Sequence, residues 1–108
     1  MQEWENIRIV GLSRLERVLA IFDVYLDLDI PIKKMKVKVI EGQNKVLSGI
    51  TNLLVRSEYP PDSFEGAVGH GSTVEEVLED TLLYFVDMVK RYQPKGTEDF
   101  EWAAPEDF

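Results

Sequence analysis

The run 33–41 alternates, with Met35, Val37 and Val39 on one side and Lys34, Lys36 and Lys38 on the other. A period of two is the mark of a half-buried strand, and no helix satisfies it. This run also decides how the stretch before it folds. Residues 13–29 read as a helix through Leu12, Leu15, Leu19, Phe22 and Leu26, with Ser13 and Glu16 as a capping box. They read equally as a strand from about Arg17, with Val18, Ala20, Phe22, Val24, Leu26 and Leu28 on one face. A hairpin turning at Ile30-Pro31 sets Leu26, Val24 and Phe22 opposite Met35, Val37 and Val39. The same register sets Asp27, Tyr25 and Asp23 opposite Lys34, Lys36 and Lys38. Each opposite-charge pair contributes a few tenths to ~1 kcal/mol. The helix reading accounts for none of these matches, so the hairpin is adopted.

The pattern continues as a meander. Gly42-Gln43-Asn44 is a three-residue turn in which Gly and Asn can take positive φ, setting Glu41 opposite Lys45 and Val39 opposite Leu47. The third strand, 45–57, carries Leu47, Leu53 and Val55 on one face and Val46, Ile50 and Leu54 on the other, as expected of a central strand. Gly49 within it suggests a bulge or bend. A leading strand at 7–12 and a short one at 64–69 complete the sheet, the latter after the break at Tyr59-Pro60-Pro61-Asp62-Ser63. Thr73 and Glu76 form a capping box opening a helix over 73–92. Its apolar stripe is Val74, Val77, Leu78, Leu82, Phe85, Val89 and Tyr92. Early acids and the late Lys90 and Arg91 suit the macrodipole, and Pro94 and Gly96 stop the helix. The expected fold is therefore α+β. Residues 1–95 form a mostly antiparallel meander packed on one long helix, and 96–108 form an acidic, aromatic tail.

Composition bounds the function. With 108 residues, 44% hydrophobic and 30% charged, the chain suits one ordinary domain. The absence of cysteine excludes disulfides, Cys-ligated zinc and thiol nucleophiles. The longest apolar runs, 18–22 and 82–86, fall far short of the ~20 residues that span a bilayer. The start, Met1-Gln2-Glu3-Trp4-Glu5, has no basic residue, which argues against a secretory signal and sets the expectation of a cytoplasmic protein with no membrane contact. The net charge of −8 has a geography. Five lysines between Lys33 and Lys45 meet one acid, Glu41, while the negative excess lies in the helix start and the tail.

Few residues suggest chemistry. His70, the single histidine, has no Ser/Asp pattern around it and reads as a polar loop residue between glycines. The stretch 66–73 has the outline of a phosphate-binding loop, but Ser72 stands where the lysine belongs, and Glu75 and Glu76 would repel an anion. Asp23, Asp27 and Asp29, or Glu75, Glu76, Glu79 and Asp80, lack calcium-loop spacing. No catalytic, cofactor or metal residue is therefore assigned. Three features suggest partners instead. Lys34, Lys36 and Lys38 form a basic stripe at nearly phosphate spacing, although Asp23 and Asp27 offset it and the negative field opposes a polyanion. Phe100, Trp102 and Phe108 on the acidic tail suit docking into a basic, apolar pocket on a partner or on this chain's own lysine stripe; a disordered tail, or one that packs as a local arm, is the alternative. Leu83, Tyr84 and Val86 widen the helix's apolar face beyond one sheet's need, which fits a homodimer interface.

Tyr59-Pro60, Gly66, the run Gly71-Ser72-Thr73-Val74-Glu75-Glu76 and the amphipathic helix after it resemble the sheet end and helix of HicB-like antitoxin domains. The resemblance covers about residues 59–90 and extends to the hairpin. It implies a partly RNase-H-like sheet-and-helix module without catalytic residues that binds a toxin and often dimerises. Here an extra leading strand and no appended DNA-binding domain are expected, and Val77 stands where that family prefers Ala. The stretch 19–44, ending Val39-Ile40-Glu41-Gly42-Gln43-Asn44, is more faintly similar to the stage V sporulation protein G family of nucleic-acid-binding regulators. The functional expectation is a non-enzymatic, bacterial-type binding or regulatory module, dimeric and acting through protein contacts. The alternative is a nucleic-acid-binding regulator using the lysine stripe.

Overall fold

The computed structural model describes residues 3–58 and 60–108. Met1, Gln2 and Tyr59, which entered the readings of the N-terminus and of the Pro-containing break, lie outside the described residues. Strands β1 (Glu16–Tyr25), β2 (Lys34–Gly42), β3 (Leu47–Arg56) and β4 (Phe64–Gly71) form an antiparallel meander in chain order, followed by helix α1 (Val74–Tyr92). The expected α+β meander on one long helix is the observed fold. A short β5 (Phe100–Trp102) from the tail adds to β3. It pairs Leu53, Leu54 and Val55 while β4 holds the other edge at Leu54 and Val55, so β5 takes over the β3 edge that β2 leaves beyond Thr51. Asn52 marks the fork. Its side-chain oxygen accepts from the Lys36 N–H (2.8 Å) and its carbonyl from the Ala103 N–H (2.8 Å).

The leading strand expected at 7–12 does not form. Trp4–Asn6 is a 3-10 turn, and 9–12 is a tight turn closed by the Leu12 N–H on the Ile9 carbonyl (3.1 Å). Gly11 sits at φ +102°, the third position of a type II turn, where glycine is favoured. The Gln43 side chain takes backbone groups that a strand would need. It accepts from the Leu15 N–H (3.2 Å) and donates to the Ile7 carbonyl (2.9 Å).

The first hairpin keeps its predicted faces but shifts by two residues. Val24 faces Met35, Phe22 faces Val37 and Ala20 faces Val39, while Asp23 faces Lys36 and Tyr25 faces Lys34. The cause lies in the connection. Leu26 still pairs with Lys33 (2.9 Å), and Ile30 tucks into the core beside Met35, Phe85 and Met88, so the strand stops at Tyr25 rather than Asp29. A bulge at Leu19 also turns Val18 outward, away from the face predicted for it. The second hairpin is shifted likewise, with Glu41 opposite Leu47 and Val39 opposite Gly49. Its positive φ falls on Lys45 (68°), not on Gly42 or Asn44, because Lys45 closes the turn onto the Gly42 carbonyl (2.9 Å).

Gly49 is neither bulge nor bend. It pairs regularly with Val39 and with Gly69, and a Cβ on either glycine would strike Thr81 of α1. These bare positions let the helix backbone come down onto β3 and β4. They also set its rotation: Val77, Thr81, Phe85 and Met88 are its buried line. Of the predicted stripe only Val77 and Phe85 are fully buried, while Leu78, Leu82, Val89 and Tyr92 lie half-buried on the flanks. The ladder break in β3 falls after Gly49, between Ile50 and Leu54. Buried Thr51 repairs it by accepting from the Ala67 N–H (3.0 Å) and donating to the Leu53 carbonyl (3.0 Å). The core gathers here from both sides: Met35, Val37, Leu53, Val55, Ala67, Phe85, Met88 and Phe100.

Candidate functional site

The lysine stripe lies on the sheet face away from α1, since Met35, Val37 and Val39 are the buried alternates of β2. Its charges are engaged. The Lys36 ammonium binds the Asp23 carboxylate at 2.7 Å, with Lys34 at 4.0 Å from the same group. The hydrogen bond from Lys36, helped by both lysine charges, holds Asp23 below the ordinary carboxylate range. Lys34 also lies over the Tyr25 ring (5.1 Å), and Lys38 lies 4.7 Å from the Phe108 ring. The expected Asp27–Lys34 and Asp23–Lys38 pairs are thus replaced, as the two-residue register shift requires. The tail reaches this chain's own lysine stripe through Phe108.

The rest of the tail is fixed to the sheet. Phe100 is buried opposite Val55, so it serves the core rather than an exposed docking surface, whereas Trp102 remains half-exposed opposite Leu53. Arg56 ties this arm down, a role that no sequence signal distinguished. Its guanidinium reaches Asp99 (3.2 Å), Asp62 (2.9 Å) and the Glu98 carbonyl (2.7 Å) and lies over Phe64. Asp99 also accepts from the Lys95 N–H (2.8 Å) and the Gly96 N–H (3.3 Å), and these donors, with Arg56, hold its carboxyl below the usual range.

His70 stands exposed on β4 opposite Ser48, not in a loop, and its main-chain N–H donates to the Asp80 carboxylate (2.8 Å). The stretch read as a phosphate-loop outline is likewise strand as far as Gly71, ending at the Thr73 cap. Thr73 accepts from the Glu76 N–H (3.1 Å), and Glu76 returns to the Ser72 N–H (2.9 Å). Helix α1 is fastened at its other end by Glu65, which accepts from the hydroxyls of Tyr84 (3.0 Å) and Tyr92 (2.7 Å). Those hydrogen bonds raise both phenols above the ordinary 10.0. No group of three or more His, Cys, Asp or Glu side chains arranged to hold a metal ion occurs among the described residues.

The concave feature with the most apolar lining lies where α1 leaves the sheet uncovered. The helix packs on β4 and β3 and meets β2 only at its flank. A helix about 10 Å across spans about two strands at ~4.8 Å spacing, so the inner face of β1 is only partly covered, with Ala20, Phe22 and Val24 half-buried. A groove of about 460 Å³ runs there between Phe22 and the helix side chains Leu78, Leu82, Leu83 and Val86. Glu75 and Glu79 stand on its lining, and neither makes an ion pair among the described residues. The structure therefore brings Leu83 and Val86 together with Phe22, Leu78 and Leu82, and keeps them apart from the lysine stripe and the tail. Phe22 was legible only as a strand residue, because the groove depends on how far the helix reaches across the sheet. Comparison with family models, curated proteins and solved structures finds no match for this chain.

Proposed function

We propose that this chain is a non-enzymatic binding or regulatory module that works through protein–protein contact at the groove between β1 and α1. The observation that carries this reading is the groove itself. Five apolar side chains line it, Leu83 exposed and Phe22, Leu78, Leu82 and Val86 half-buried, beside two carboxylates that make no ion pair among the described residues, and β1 is an edge strand with no outer strand partner among them. Full burial of an exposed Leu, Val or Phe contributes about 1.5–3 kcal/mol, and Leu83 together with the open parts of its four half-buried neighbours gives a docking segment an apolar gain to set against the cost of association. The HicB-like resemblance points the same way, to a module that acts by holding a partner. The lysine-stripe alternative is weaker, because Asp23 offsets one of its three positive charges, holding Lys36 at 2.7 Å with Lys34 at 4.0 Å, and Lys38 lies over the Phe108 ring.

The test is recovery of bound material from the native lysate with three forms of the chain. Wild type is expected to retain a polypeptide, a second copy included, in stoichiometric amount. The Leu83→Glu/Val86→Lys variant is expected to lose it, and the Lys34→Gln/Lys36→Gln/Lys38→Gln variant to keep it. Recovery of nucleic acid that only the lysine variant loses would overturn the reading in favour of the alternative.

A further inference from the structure

The groove has a counterpart elsewhere in the same chain. Between Ile9 and Leu12 three large apolar side chains stand in solvent, with Ile9 58%, Val10 103% and Leu12 55% exposed. They are presented by a built turn rather than a loose end, closed by the Leu12 N–H on the Ile9 carbonyl and by Gly11 at φ +102°. Gln43 pins its base through Ile7 and Leu15. A preformed tip of this kind loses little conformational freedom when it docks. Arg8 and Arg14 flank it: Arg8 donates to the Glu5 and Ile7 carbonyls (2.8 Å each), and Arg14 lies 3.6 Å from the Glu16 carboxylate.

We propose that the tip 9–12 of a second copy seats in the groove formed by Phe22, Leu78, Leu82, Leu83 and Val86, with Arg8 and Arg14 meeting Glu75 and Glu79. This names the occupant of the groove and rests on the reading of the groove given above. Charge complementarity selects this occupant. The tip is apolar between two arginines, of which Arg8 has no carboxylate partner among the described residues and Arg14 holds Glu16 in an exposed pair at 3.6 Å that a surface exchange can replace. The groove is apolar beside two carboxylates that make no ion pair among the described residues, and the chain's net charge of −8 opposes an anionic lipid surface as the target of the tip. The chain's own tip is held at the wrong end. It is tied to Gln43 beside Glu16, and Phe22 lies six residues farther along β1, about 20 Å at ~3.3 Å per residue. Each copy offers one tip and one groove, so a two-fold exchange satisfies both and closes as a dimer.

The absence of cysteine permits a clean test. Val10→Cys and Leu83→Cys chains, mixed and oxidised, are expected to give the mixed disulfide in excess of either symmetrical one. A statistical mixture would overturn the proposal. In sedimentation velocity the wild type is expected to run as a dimer, and Val10→Asp and Leu83→Glu each as a monomer. Both positions are exposed, so neither change burdens the fold. Arg8→Glu/Arg14→Glu is expected to weaken the dimer, and adding Glu75→Arg/Glu79→Arg in the same chain to restore it. A wild-type monomer would overturn the proposal, leaving the groove's binding role to the lysate experiment. A dimer broken by Leu83→Glu but not by Val10→Asp would overturn the tip as occupant while leaving the groove as an interface. A dimer indifferent to both would remove the groove as well.

Discussion

The two halves of the sheet are held by different means. In β3, β4 and α1 the backbones touch. Gly49 and Gly69 open the floor for Thr81, the Thr51 hydroxyl closes a break in the ladder, and Val77, Phe85 and Met88 are fully buried. In β1 and β2 the strands are joined by their ladder and by surface charge pairs, and the inner residues Ala20, Phe22 and Val24 remain half-exposed. Met35, Val37 and Val39 of β2 are buried with the helix residues, so the incomplete part of the core is the β1 edge, where one helix does not reach across all four strands. The difference separates residues that keep the fold from residues free to recognise something. The floor under α1 at Gly49 and Gly69 has no room for an added Cβ; the β1 edge beside α1 has room for a ligand.

The largest effect is expected where backbone meets backbone. Gly69→Ala places a methyl against the Thr81 backbone and should destabilise the fold by about 3 kcal/mol in denaturant titration, at the upper end for overpacking. Leu83→Glu, on the groove side, should stay within about 0.5 kcal/mol for the monomer, as surface substitutions do. Equal costs would abolish the contrast. Thr51→Val should cost about 2 kcal/mol, because the buried Ala67 N–H is left without its acceptor. A smaller gain is expected at the β2–β3 turn. Lys45→Gly should stabilise by about 1 kcal/mol, since Lys45 holds a left-handed φ of 68° that glycine adopts freely.

The smallest effect is electrostatic. Asp99 has its folded pKa depressed below 3.8 by the Lys95 and Gly96 amides and by Arg56. Its contribution is therefore complete above the unfolded value and is lost as pH falls through the folded one. Asp99→Asn should flatten the acid limb of the melting curve below about pH 4 and leave the neutral plateau's shape unchanged. Asp23→Asn, in the hairpin half, should act in the same direction with the loss of Lys36 as its main cause.

Much of the fold was legible in the sequence because period-two alternation and the Thr73 cap act locally. The hairpin faces, the strand order and the helix limits follow from residues close to one another in the chain. The registers did not, since the burial of Ile30 within the connection and the left-handed Lys45 set them, and alternation is blind to a shift of two. The missing leading strand turned on Gln43, whose side chain captures Ile7 and Leu15 from 36 and 28 residues away. At the candidate site Leu83 and Val86 stood out as surplus apolar residues on the helix. Phe22, Glu75 and Glu79 did not, because only the rotation imposed by Gly49 and Gly69 brings them beside those two. Ile9, Val10 and Leu12 fit a strand by composition, and only the turn at Gly11 makes them an apolar tip.

The central claim is that the uncovered half of the sheet is a binding surface completed by another copy. Amide hydrogen exchange at low and high protein concentration tests it most directly. Protection is expected to rise with concentration at residues 9–12, around Phe22 and along α1 from Leu78 to Val86, while β3 and β4 stay unchanged. Exchange independent of concentration, or a rise confined to the lysine face of β2, would contradict it.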